Sequence, residues 1–147
     1  MLAMADIPPF SIFSAISEVV VTIVVLYTII SNLKGKKLLW PALGLVLTFE
    51  LCVNVMYMSM RAASADTDHT LTQGMKLLFM GHGMLSLVMF VGLVILFILA
   101  VIDVKSGRPS WFRRHPAGTW LFVAFWMVSV ISGQAIFVWR YGDKLLA

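Results

Sequence analysis

Charge is scarce in this chain. Of 147 residues, 12% are Asp, Glu, Lys or Arg, against 61% hydrophobic. A soluble domain has about 45–50% apolar and about 25% charged residues. The apolar excess is too large for a water-soluble core, so an ordinary soluble domain is excluded and an integral membrane protein is indicated. Cysteine is nearly absent too. Cys52 stands alone, which excludes an intrachain disulfide and leaves the redox compartment unread. The sequence also lacks a phosphate-cradling glycine loop, a Ser-His-Asp spacing, a CxxC pair and an HExxH helix, which sets several enzyme classes aside. No catalytic residue is expected. The net charge of +4 does not point to nucleic acid, because the basic residues cluster in short loops where membrane topology accounts for them.

What the chain has in abundance is apolar length. Four runs, at about residues 10–32, 38–60, 77–102 and 118–139, meet the requirement of about 20 residues for crossing a bilayer. Trp40, Tyr57, Trp111, Trp120, Trp139 and Tyr141 stand near the ends of these runs, as interfacial anchors should. Each run must be a helix, since an open sheet cannot satisfy its backbone in lipid. The first run is expected to stay in the protein: "MLAMADIPPF" carries no positive residue, and the apolar stretch is too long for a signal peptide.

Lys34, Lys36 and Lys37 occupy one connecting segment, and Lys105, Arg108, Arg113 and Arg114 another. The middle connection has Arg61 and Lys76, and the C-terminus Arg140 and Lys144. The positive-inside rule then places both termini and the middle connection outside the cytoplasm. With no linker long enough to divide it, residues 1–147 read as one membrane domain: all-α, an antiparallel up-down-up-down bundle of four transmembrane helices. The bilayer is the obvious partner, and the expected location is a bacterial inner (plasma) membrane. The polar segment 61–76 is expected to be an ordered external loop.

Ionisable groups inside spans are costly and face the bundle interior or a wet cavity, so each is a functional candidate. Three qualify: Glu18, Glu50 and His82. At about 1.5 Å per residue, they lie roughly 12, 15 and 8 Å below the outer ends of their helices. Their helix faces agree as well. Glu50, Asn54, Tyr57 and Arg61 make one stripe, as do Ser11, Ser14, Glu18 and Thr22. His82 and Ser86 are one turn apart; Ser129, Gly133 and Arg140 share a face, with Ser132 alongside. These stripes imply one polar pocket toward the outer side. His82 is expected to be its ligand or proton partner, with Glu50 or Glu18 paired to it and Asn54 and Tyr57 orienting. Gly81 and Gly83, in "GHG", are expected to admit a neighbouring helix or a flat ligand.

What the pocket takes is less constrained. The metal-ligating candidates are His82, Glu50 and Glu18, and an imidazole is suited either to metal or to proton transfer. Met56, Met58, Met60, Met75, Met80 and Met84 suggest copper, since thioethers select Cu(I). Helical geometry turns Met58 about 200° from both Met56 and Met60, so these methionines read first as core filler. For haem, the spans offer a single histidine; His69 would have to fold down from its loop, and His115 lies on the opposite side. For a quinone, Phe79, Phe90, Trp126 and Phe137 are the candidate walls.

The last two runs resemble small four-helix, histidine-bearing membrane proteins associated with haem–copper (cytochrome c) oxidase maturation, the CtaM-like group. The resemblance covers roughly the second half of the chain. It rests on His82, on His115 in "RRHPAGTW", on "WMVSVISG" at residues 126–133 and on Tyr141. It implies a non-catalytic maturation factor or accessory subunit of a respiratory redox system, working beside other membrane subunits. The alternatives are a haem- or quinone-binding electron-transfer subunit and a purely structural one. Where that family tends to carry histidines, this chain has Lys36 and Lys37 at the start of the second run and Met60 and Arg61 near its end.

Overall fold

The structure, a computed structural model, describes residues 7–63 and 73–146. The segment 61–76 therefore lies mostly outside the described residues, His69 with it, as do the side chains of Tyr57, Met58, Arg61 and Lys144. Among the described residues all regular structure is helical: α1 (Pro9–Leu33), α2 (Trp40–Ala63), α3 (Gln73–Lys105), α4 (Trp111–Arg114) and α5 (Pro116–Leu146).

Three of these helices, α1, α3 and the Pro116–Gly142 part of α5, are long and apolar enough to cross a membrane. The apolar stretch of α2, Trp40–Met56, is shorter. Outward faces are as greasy as a lipid-facing surface requires: Leu45, Ile23, Leu121 and Ile131 are all more than half exposed.

Sequence chemistry explains where the helices stop. Pro9 opens α1 at the one turn where a missing N–H is harmless. Beyond Leu33, Gly35 turns to φ +91°. Its N–H reaches the Asn32 carbonyl at 3.0 Å and the Lys36 N–H reaches Ser31 at 3.1 Å, which is a Schellman closure. The same device ends α3: Gly107 has φ +72°, with Gly107 N–H on Val104 and Arg108 N–H on Asp103. Only glycine adopts such a backbone without strain.

The four long helices form a square. Helix α1 packs on α2 and α5, and α3 packs on α2 and α5, while among the described residues neither diagonal pair brings its backbones into close approach. Neighbours run antiparallel, as cross-contacts show: Gln134 meets Ala15 and Trp126 meets Thr22, descending α5 while ascending α1. The core holds Val25, Ile29, Leu43, Leu93 and Phe112, each fully buried. The one-turn α4, absent from the sequence reading, wedges Phe112 into the end of the square against α1, α3 and α5.

Candidate functional site

The square is finished differently at its two ends. At the end carrying the 34–39 and 106–110 connections, the buried polar groups Asn32, Asp103, Ser110 and Thr119 find partners, while the Thr28 hydroxyl one turn earlier in α1 does not. Asn32, 3% exposed, donates to the Lys36 carbonyl at 3.0 Å and accepts a short hydrogen bond from the Ser110 hydroxyl. Asp103 is equally buried. One of its oxygens accepts two N–H bonds from Arg114, at 2.7 and 3.2 Å, and the other lies 3.3 Å from Arg108. Thr119 donates to the carbonyls of Phe112 and His115, which fastens α4 to α5.

Toward the other end, polar side chains from all four long helices converge. Glu18 of α1, Glu50 of α2, Ser86 of α3 and Ser129 of α5 line one cavity, closed by Val21, Met89, Phe90, Trp126 and Val130. Its volume is about 10 Å³, room for one water-sized group. Glu50 accepts from Asn54 Nδ2 at 3.1 Å through Oε1, an i, i+4 pair on one turn of α2. Its other oxygen, Oε2, is buried without a hydrogen-bond partner. Glu18 Oε2 accepts from Gln134 Nε2 at 2.8 Å, and the same amide nitrogen reaches the Ala15 carbonyl at 3.0 Å.

His82 stands beside this cavity rather than among its lining residues. Its Nδ1 lies 2.9 Å from Ser132 Oγ, while Ser132 donates its one hydroxyl proton to the Ser129 carbonyl at 2.7 Å. Ser132 must therefore accept, which assigns the hydrogen to Nδ1. Nε2 is left toward Gly133. A Cβ placed on Gly133 would stand 2.8 Å from His82 Cε1, 3.1 Å from Nε2 and 3.2 Å from Glu18 Oε2. This bare Cα makes room for the imidazole and the carboxylate to approach the same point.

Several sequence expectations change on this geometry. Glu18, Glu50, Asn54 and His82 do gather toward one end, but as two linked pairs. Glu50 pairs with Asn54, and His82 pairs with Ser132 near Glu18; His82 and Glu50 share no bond. Among the described residues, no three His, Cys, Asp or Glu side chains could hold a metal ion, so the set His82, Glu50 and Glu18 does not make a three-ligand centre. The cavity is likewise too small for a porphyrin or a quinone ring. Of the four aromatic walls proposed, Phe90 and Trp126 line the cavity. Phe79 instead lies under the Arg140 guanidinium at 5.6 Å, and Phe137 stacks on Tyr141.

The glycines of "GHG" also behave differently. Nothing lies within 4 Å of a Cβ on Gly81 or Gly83, so both look outward and the close approach falls at Gly133. Met56, Met60, Met80 and Met84 are about half exposed or more, hence outer surface and not core filler; Met89 is the buried methionine. Sequence reasoning missed Gln134, because a search among ionisable groups passes over an amide. It lies next to the glycine already placed on the polar face, and that adjacency was the available signal.

No protein family, curated protein or solved structure matches this chain.

Proposed function

We propose that this chain is a four-span integral membrane protein with both termini on the non-cytoplasmic side. It serves a respiratory redox system as an oxidase maturation factor or accessory subunit, beside other membrane subunits in a bacterial inner membrane. The observation carrying this reading is the shared cavity of Glu18 and Glu50 with the His82 imidazole beside it, inside helices of membrane-spanning length. Carboxyl groups in such surroundings are expensive to keep, and they mark proton paths and binding sites more often than packing. The topology rests on the two lysine- and arginine-rich connections, and the redox assignment on the resemblance of the last two helices.

The site's work is the holding and passing of a proton. Glu50 Oε2, with no hydrogen-bond partner among the described residues, His82 Nε2 and the Glu18 carboxyl are the groups able to take it up. A water-sized group in the cavity would connect the carboxyls of Glu18 and Glu50. Gln134 and Asn54 each hold one carboxyl by its amide and leave its other oxygen for exchange. Ser132 holds the ring through Nδ1 and leaves Nε2 without that bond.

Oxygen consumption by membranes from cells carrying Glu50→Gln, Glu18→Gln or His82→Ala tests this. A loss of terminal oxidase activity of tenfold or more, with the variant chain present at normal level, is expected. Unchanged respiration and assembly in all three would leave a structural subunit. A reducible Soret band in the purified chain would instead favour haem binding, and stoichiometric copper removed by His82→Ala would favour a metal carrier.

A further inference from the structure

The tightly bonded end of the square carries seven lysines and arginines and one acid: Lys34, Lys36, Lys37, Lys105, Arg108, Arg113 and Arg114 against Asp103. Among the described residues Asp103 engages the cations Arg108 and Arg114. The remaining five are exposed. They do not point apart at random, because the connections that bear them are tied together. Asn32 bonds both the Lys36 carbonyl and the Ser110 hydroxyl, joining the 34–39 turn to the segment that enters α4. Helix α4 is held down by buried Phe112 and by Arg114 on Asp103, which leaves Arg113 on its outer side. The Arg113 guanidinium lies over Gly35, 3.8 Å from where a Cβ would stand there. Lys105 sits 5.9 Å above the Trp40 ring, which is itself exposed.

We infer that Lys34, Lys36, Lys37 and Arg113 form a ledge that holds the phosphate of an anionic phospholipid in the adjoining leaflet. Phosphate is the chemistry that suits a guanidinium flanked by ammonium groups. The lipid form of it follows from position. The ledge lies where membrane-length helices end, level with the tryptophans Trp40 and Trp111, which belong at the headgroup layer. The buried bonds beneath the ledge hold together the backbone segments that bear its cations before a lipid arrives. The inference is independent of the redox assignment, but it does need the chain to lie in a bilayer.

The test uses the purified full chain in detergent, titrated with phosphatidylglycerol or phosphatidylcholine and read by native mass spectrometry. Each cation near an anionic surface contributes about fivefold in affinity. Wild type should therefore retain phosphatidylglycerol at least tenfold better than phosphatidylcholine, with the preference falling as salt rises. The triple variant Lys36→Gln, Lys37→Gln, Arg113→Gln should lose the preference while unfolding at the wild-type temperature. Arg113→Lys, which keeps the charge, should keep most of it. Equal retention of the two lipids by wild type would overturn the ledge, whatever the variants do. So would a triple variant that folds and keeps the preference. Inorganic phosphate displacing the lipid at equal concentration would overturn the lipid as the occupant.

Discussion

The two ends of this bundle use similar side chains to opposite effect. At one, Asp103 is buried and both its oxygens are met by arginines. At the other, Glu50 is half-buried, with one oxygen met by Asn54 and the other, itself buried, met by no partner among the described residues. Asp103 is the more deeply buried of the two, so depth of burial is not what leaves an oxygen without a partner. The distinction is in how completely each acid is answered. A fully answered acid fixes structure. A half-answered one, next to a space the size of a water, is able to change state at little cost to its neighbours.

Substitutions can break this contrast, and their effects should fall in a definite order. Asp103→Ala strips two arginines of their partner, and breaking a buried pair costs about 3–5 kcal/mol. Here the arginine side chains are 55% and 40% exposed, so water takes up part of the loss. Thermal unfolding in detergent should show a loss of about 2–3 kcal/mol. Gly133→Ala comes next. Its methyl would stand 2.8 Å from the His82 ring, forcing the ring off Ser132 at a cost of about 1–2 kcal/mol. It should also impair respiration like His82→Ala, although it removes no functional group. Thr28→Val tests the one other buried oxygen without a partner among the described residues. Trading that hydroxyl for a methyl of the same shape should be neutral or stabilising by up to about 1 kcal/mol. Glu50→Gln should move stability least, within about 0.5 kcal/mol, since the amide oxygen can still accept from Asn54. That it should nevertheless abolish oxidase activity is the sharpest form of the comparison. Glu50→Gln acting as a stability mutant would reduce the two acids to one kind.

Much of the architecture was legible because lipid leaves few choices. Apolar runs of span length and short connections lead to an antiparallel helical bundle almost by necessity, whereas the glycine stops at Gly35 and Gly107 came only with the structure. That Glu18 and Glu50 share one cavity with His82 beside it was approachable from residue counting and helical spacing. Three features resisted. Partner choice was ambiguous, since four helices offer many pairings at one depth, and Ser132 rather than a carboxylate took His82. Cavity size cannot be read from sequence at all, because it depends on how Phe90, Trp126 and Met89 pack, and it disfavours a haem or quinone within the bundle. The α4 wedge was hidden in "SWFRRH", whose arginines had a sufficient explanation in membrane topology. Asp103, next to that run, was the signal: an acid just past a span end among basic residues needs partners.

The wide spacing of the diagonal helices, among the described residues, has a mechanical meaning. Four rods whose backbones approach closely only around the perimeter behave like a hinged frame, stiffer along each side than across its corners. The wedge, the Asn32 tie and the Asp103 clasp pin one mouth of that frame, so deformation concentrates at the other. There, a skew of the corners by a fraction of an ångström would stretch the space between two carboxyls far more than it would disturb any helix.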